Sequence, residues 1–118
     1  MIRADAGPGI GIGHVIRCAA LGQQCRAEGC KVTFVTNGNV RALESWLTGY
    51  EFEMVEVAAS CPSPVDQLTL QDVLDRNREA WCVLDGYHFD TEYQFAVKQS
   101  GSHLLVVDDL CNLKKYHA

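Results

Sequence analysis

The chain has 118 residues with a net charge of −5 and 47% apolar residues, a length that fits one domain and a composition that excludes a disordered chain. Its pI of about 5.2 and the lack of a basic stripe exclude a nucleic-acid or anionic-membrane binder, and no apolar run nears the roughly 20 residues that cross a bilayer. Without a signal-peptide core at the N-terminus, a cytoplasmic location is expected, with the six cysteines reduced and packed as small hydrophobes. No CxxC pair occurs and the four histidines are scattered, so neither a structural zinc site nor any other metal or cofactor is expected.

In chain order, MIRAD (1–5) reads as a first strand. A glycine loop follows, with Gly7, Gly9, Gly11 and Gly13 at every second position. From His14 to about Glu28, Val15, Cys18, Ala19, Leu21, Gly22 and Cys25 recur at helical spacing, and Gly29 stops the helix. KVTFVT (31–36) is β-branched and aromatic, a strand, and NGNVRALESWLTG gives a turn and a helix ending at Gly49. EFEMVEV (51–57) alternates polar and apolar residues, which predicts a strand with a wetter face at a sheet edge.

AASCPSP (58–64) is a loop, and Asp66 is a candidate cap for a helix through LTLQDVLDRNREA. WCVLD (81–85) is a short buried strand and GYHFD a loop in which Phe89 belongs to the core and His88 to the surface. TEYQFAVKQSG is a helix, HLLVVDD (103–109) the most apolar strand, and LCNLKKYHA shows no clear element. Strands and helices thus alternate in a single domain over residues 1–118. This predicts a Rossmann-like three-layer α/β/α fold with a mainly parallel five-stranded sheet in the order 3-2-1-4-5.

In such a sheet a ligand binds at the carboxyl ends of the strands where the order reverses, between strands 1 and 4. The loops after strands 1, 4 and 5 are DAGPGIGIGH, LDGYHFD and the segment opening with Asp108 and Asp109, and all three converge on that crevice. The glycine spacing is not that of G-x-G-x-x-G, no acid ends strand 2, and no P-loop is present, which argues against NAD and against a P-loop nucleotide. What the loop offers is close backbone approach and N–H groups at a helix start, suited to an anion or a sugar hydroxyl. His14 sits in the first helical turn, where the dipole favours neutral imidazole, and so suits a general base; local packing is its other reading. Arg17, one turn later, faces the same site or solvent, Asp85 and Tyr87 are placed to orient a hydroxyl or water, and Asp108 and Asp109 either cap or bind.

The run R-x-D…G-I-G-x-G-H-V-x-R-C from Arg3 to Cys18, with LDGYHFDTEYQ (84–94) and LLVVDDL (104–110), resembles the UDP-sugar hydrolases of pseudaminic acid biosynthesis, the PseG group, related to the SpsG spore-coat polysaccharide proteins. The resemblance implies the N-terminal half of a two-domain, glycosyltransferase-B-like enzyme. That enzyme hydrolyses UDP-2,4-diacetamido-2,4,6-trideoxy-β-L-altropyranose by inverting attack of water, without a metal. His14 would be the general base, Tyr87 and Asp85 would position the water, and Gly9, Gly11, Ile12, Gly13, Arg17 and Asp109 would line the substrate. Ile12 departs from the small polar residue usual between the last two glycines. The resemblance places most uracil and pyrophosphate contacts on a C-terminal domain or partner chain outside these residues. The domain alone is then weakly active, and self-association through the uncovered inter-domain surface is expected. A glycosyltransferase half-domain of the same fold and a non-catalytic binding module are the alternatives.

Overall fold

The computed structural model describes residues 1–7, 9–37, 41–58, 61 and 63–118, with 41–44 described by backbone alone. Part of the expected turn at 37–40 and part of the 58–64 loop lie outside the described residues. Five strands alternate with four helices: β1 (Ile2–Ala4), α1 (Gly13–Ala27), β2 (Thr33–Asn37), α2 (Arg41–Thr48), β3 (Glu53–Val57), α3 (Pro64–Arg76), β4 (Trp81–Asp85), α4 (Thr91–Gln99) and β5 (His103–Val107). The sheet runs β3-β2-β1-β4-β5 and every pairing is parallel, which is the predicted Rossmann-like order. No helix among the described residues is long and apolar enough to cross a membrane.

Period-two alternation along the strands divides the core into two layers. Ile2, Ala4, Phe34 and Val83 pack with Val15, Cys18 and Ala19 of α1 and Leu47 of α2. Cys82, Leu84 and Leu104 pack on the other face with Leu70 and Leu74 of α3 and Tyr93 and Val97 of α4. α1 comes closest to the sheet at Gly22, where a Cβ would fall 2.7 Å from Phe52 Cζ and 3.3 Å from Ile2 Cδ1. Phe52 is buried and stacked on Phe34, so its ring has little room to withdraw.

Several boundaries differ from the periodic reading, each because a side chain or turn ends the ladder. β1 stops at Ala4 because the Asp5 carboxylate turns aside to accept from Arg3, His88 Nε2 and the Asn37 N–H. β3 begins at Glu53 because Glu51, at φ 61°, closes a turn onto Thr48. β5 ends at Val107 because Asp108 caps the next turn, accepting from the Leu110 and Cys111 N–H groups. α3 starts at Pro64 with Ser63 as its cap, Ser63 Oγ accepting from the Asp66 N–H at 3.1 Å. The Asp66 side chain is therefore not a cap; it is fully buried and faces the core. The C-terminal segment has no regular element but is tied to α4, through Thr91 Oγ1 to Lys115 O at 2.8 Å and the His117 N–H to Gln94 Oε1 at 3.0 Å.

Arg3 is the largest fully buried side chain. It lies on the α3/α4 face of the central strand, where Asp66 Oδ1 accepts from Nη2 at 2.8 Å and from Nε at 3.3 Å. Nη1 donates to Asp5 and to Val35 O, and the guanidinium sits 5.1 Å from the Phe89 ring centroid. Burial works against its charge, and the Asp5 and Asp66 carboxylates outweigh burial and hold the guanidinium firmly protonated.

Two stability predictions follow from this packing. Arg3→Met leaves two buried carboxylates without their cation and should cost about 3–5 kcal/mol. The double variant Arg3→Met/Asp66→Leu should recover part of that loss in urea unfolding, and a cost below about 1 kcal/mol for the single variant would show that water reaches the carboxylates. Gly22→Ala sets a helix-propensity gain of about 1 kcal/mol against overpacking of about 1–3 kcal/mol, for a net loss of about 1 kcal/mol in the same assay. A variant more stable than wild type would show that Phe52 yields freely.

Candidate active site

His14, Arg17, Asp85, Tyr87 and Asp109 gather at the carboxyl ends of β1 and β4. Asp85 is the last residue of β4, paired with Ala4 of β1, and is fully buried. α1 starts at the far end of the glycine loop that leaves β1, and its first turns carry His14, Arg17 and Cys18. Spacings of three and four put these side chains on one face of the helix, and all three point at Asp85. His14 Nδ1 lies 2.6 Å from Asp85 Oδ1. Arg17 grips the carboxylate with both ends of its fork, Nε to Oδ2 and Nη2 to Oδ1, each at 2.5 Å. The Cys18 thiol donates to Oδ2 at 3.4 Å, and burial together with Asp85 pushes that thiol's pKa well up, which makes it inert.

These contacts fix the tautomer of His14. A carboxylate has no proton to give, so at 2.6 Å Nδ1 is the donor, and in the neutral ring Nε2 is the nitrogen that carries the lone pair. Arg17 Nη2 and His14 Nδ1 stand 3.1 Å apart because both donate to the same oxygen. Asp85 is thus saturated with donors and rigidly placed.

Tyr87, two residues beyond Asp85, closes over the imidazole with its ring edge-on, centroids 5.0 Å apart at 85°. Its hydroxyl faces Asp109, and their interaction raises the phenol's pKa and lowers that of the carboxyl. Asp109 Oδ2 also lies 3.6 Å from Arg17 Nη1. His14, Asp85, Arg17, Asp109 and Tyr87 therefore form a closed circuit drawn from α1 and the loops after β4 and β5. Asp108 is not part of it: the Tyr116 hydroxyl, then the Leu110 N–H, hold it in the C-terminal turn and lower its pKa.

The glycine loop is a tight turn. Gly9 and Gly11 adopt φ values of 81° and 78°, a region that a side chain would strain. The Gly11 and Ile10 N–H groups both bond to Gly7 O, at 2.9 and 3.1 Å, so those amides are committed within the loop. Ile12 precedes α1 at φ −114° without a side-chain cap, and Gly13 opens the helix. Ile10, Ile12 and Ile16 are exposed here, as are Tyr87 and Leu110 on the facing loops, so the mouth of the crevice is apolar-rimmed.

A second polar cluster lies beside the first and is not evident in the linear spacing. His88 is half-buried rather than on the surface, and its Nε2 meets Asp5 Oδ2 at 2.8 Å. Burial opposes the charge of Asp5, but His88, Arg3 and the Asn37 N–H outweigh it and hold the carboxyl down at about 2. Cys61, from the loop after β3, brings its thiol within 4.8 Å of the Asp5 and His88 ligand atoms. Its pKa is raised by burial and by Asp66. The signal for the Arg3–Asp5 half of this cluster is present in R-x-D, because residues i and i+2 of a strand share a face. Asp66, Cys61 and His88 join through tertiary contacts alone.

The fold is Rossmann-like, and no family model, curated protein or solved structure matches the chain.

Proposed function

We propose that this crevice activates water against the anomeric carbon of a nucleotide-sugar, the chain being the sugar-side half of a metal-independent UDP-sugar hydrolase. One observation carries the reading: Asp85 holds His14 in the tautomer whose Nε2 can take a proton, beneath the ring of Tyr87. In the reaction, Nε2 removes a proton from water, and the water oxygen bonds to the anomeric carbon. The bond from that carbon to the leaving phosphate oxygen breaks, and its electron pair leaves with UDP. Asp85 stabilises the imidazolium, and Tyr87, anchored by Asp109, orients the water or a sugar hydroxyl.

The charge pattern favours the sugar side over the diphosphate side. Arg17 is the cation of this cluster, and Asp85 and Asp109 already neutralise it. A pyrophosphate would need cations from elsewhere, which agrees with a second half closing over the exposed Ile10, Ile12, Ile16 and Leu110. The resemblance in R-x-D, G-x-G-H and D-G-Y-H is to a superfamily of sugar-nucleotide enzymes, within which a diacetamido-trideoxy-altropyranose carried on UDP is the substrate to test first.

The test is UDP release from that UDP-sugar with enzyme in excess. Wild type should exceed the buffer blank, and His14→Gln and Asp85→Asn, checked for native circular dichroism, should fall by about 10²–10⁴. Tyr87→Phe should lose about tenfold, the range of one positioning hydrogen bond. Saturation-transfer NMR should mark the sugar acetamido protons in preference to the uracil protons. Release no faster than the blank, or equal in His14→Gln, would overturn the reading.

A further inference from the structure

We propose that Asp5, Cys61 and His88 form a binding site for a divalent transition metal, zinc by the character of the donors, with Asp5 Oδ2, Cys61 Sγ and His88 Nε2 as ligands. The proposal is independent of the hydrolase reading, which uses none of the three residues.

Geometry comes first. The three ligand atoms come from the loops after β1, β3 and β4 and lie within 4.8 Å of one another. Around zinc, bonds of about 2.0–2.3 Å place tetrahedral ligands roughly 3.3–3.7 Å apart. Asp5 Oδ2 and His88 Nε2, at 2.8 Å, must part slightly and Cys61 must draw in, shifts of about 1 Å that two loop residues can supply. An S, N and O donor set suits zinc and excludes magnesium and calcium, which take oxygen.

The surroundings are those of a supported site. Asp5 Oδ1 accepts from Arg3 and from the Asn37 N–H, which fixes the carboxylate and leaves Oδ2 as the oxygen turned to His88 and Cys61. Such outer hydrogen bonds orient metal ligands. Gly86 lets the loop fold tightly, since a Cβ there would fall 2.7 Å from His88 Cε1. His88 and Cys61 are half-buried, which gives an ion a path in, while Asp5 is buried behind them.

Charge supplies the independent observation. Arg3, Asp5 and Asp66 are buried together and carry one positive and two negative charges, a net of one negative. Asp66 Oδ2 is fully buried and has no hydrogen-bond partner among the described residues. A doubly charged ion with one thiolate adds a net positive charge and brings the cluster to neutrality. On binding, the Cys61 thiol gives its proton to solvent and its sulfur lone pair to the metal, and His88 passes the Nε2 proton it shares with Asp5 to solvent while Nδ1 takes one up, so that Nε2 can bind, with no change of oxidation state. Three protein ligands leave a fourth position for water. Because His88 follows Tyr87 directly, the ion would also anchor the loop that sets Tyr87 against His14.

The experiment titrates the chelator-treated, reduced chain with Co²⁺ and then displaces it with Zn²⁺. One equivalent should bind and give a thiolate-to-cobalt charge-transfer band together with tetrahedral visible bands, both removed by Zn²⁺. Cys61→Ser should abolish the charge-transfer band, and His88→Gln should weaken Co²⁺ binding at least about tenfold. The double variant Cys30→Ser/Cys111→Ser, which removes the two exposed thiols, should keep the band. X-ray absorption of the wild-type zinc complex, which needs no variant to fold, should find one sulfur among nitrogen and oxygen neighbours. The absence of stoichiometric binding, a band that survives in Cys61→Ser or vanishes in the surface double variant, or more than one sulfur at zinc would overturn the proposal.

Discussion

The burial of one guanidinium at the centre of the sheet is the constraint on which the functional edge depends. Arg3 occupies the middle of a three-residue strand, with hydrogen-bonded strands on both sides, so its charge has no route to water. It is tolerable only because carboxylates stand where the side chain ends. Asp66 is delivered by the third residue of α3 and Asp5 by the residue that ends β1. Each is committed to Arg3: Asp5 turns aside as β1 stops, and the Ser63 cap that starts α3 leaves the Asp66 side chain to reach inward. Since Asp5 then takes His88, the chain after β4 is tied back across the sheet. The ordering of the β4–α4 loop, Tyr87 included, thus traces to an ion pair beneath the crevice.

The two polar clusters divide the labour of one edge. The His14–Asp85 cluster is closed in its hydrogen bonds, since both oxygens of Asp85 are filled by donors, although Arg17 faces two carboxylates. Its outward chemistry rests on the remaining nitrogen of His14 and the oxygen of Tyr87. The Arg3–Asp5–Asp66 cluster is open in the opposite sense, with a carboxylate oxygen buried and unpartnered. The first cluster leaves no oxygen of Asp85 without a donor, whereas the second leaves Asp66 Oδ2 buried without one among the described residues. Consecutive residues, Tyr87 and His88, belong one to each, so movement in either cluster is felt by the other.

Much of this was legible in the sequence where physics is local or periodic. Alternation of short apolar runs with helical stripes carried the strand order, and WCVLD gave β4 residue for residue because Gly86 and Ala80 bound it tightly. The crevice residues were legible because strand order places the loops after β1, β4 and β5 together, and spacings of three and four from His14 put Arg17 and Cys18 on its face. What was not legible came from long-range pairing. Asp66 looked like a cap because it stands near a helix start, yet Ser63 with Pro64 is the stronger start and frees Asp66 to turn inward. His88 looked like surface because loops usually are, and only the position of Asp5 across the sheet draws it in. The grouping of Asp5, Cys61 and His88 could not be read from spacing along the chain, because three separate crossovers bring these residues together.

The glycine loop shows how a motif's spacing and its backbone can point to different ligands. Read as amides at a helix start, GPGIGIGH invites an anion. In the fold, two of those amides close the turn on Gly7, Arg17 is neutralised by both Asp85 and Asp109, and Ile10 and Ile12 of the turn are exposed. An anion approaching from this side meets Asp109 and apolar surface before it meets a donor. That environment offers apolar surface from the isoleucines beside the polar atoms of Tyr87 and His14, which is the chemistry the proposed sugar ligand requires. The glycines thus serve the turn that leads into α1 and brings His14 to Asp85.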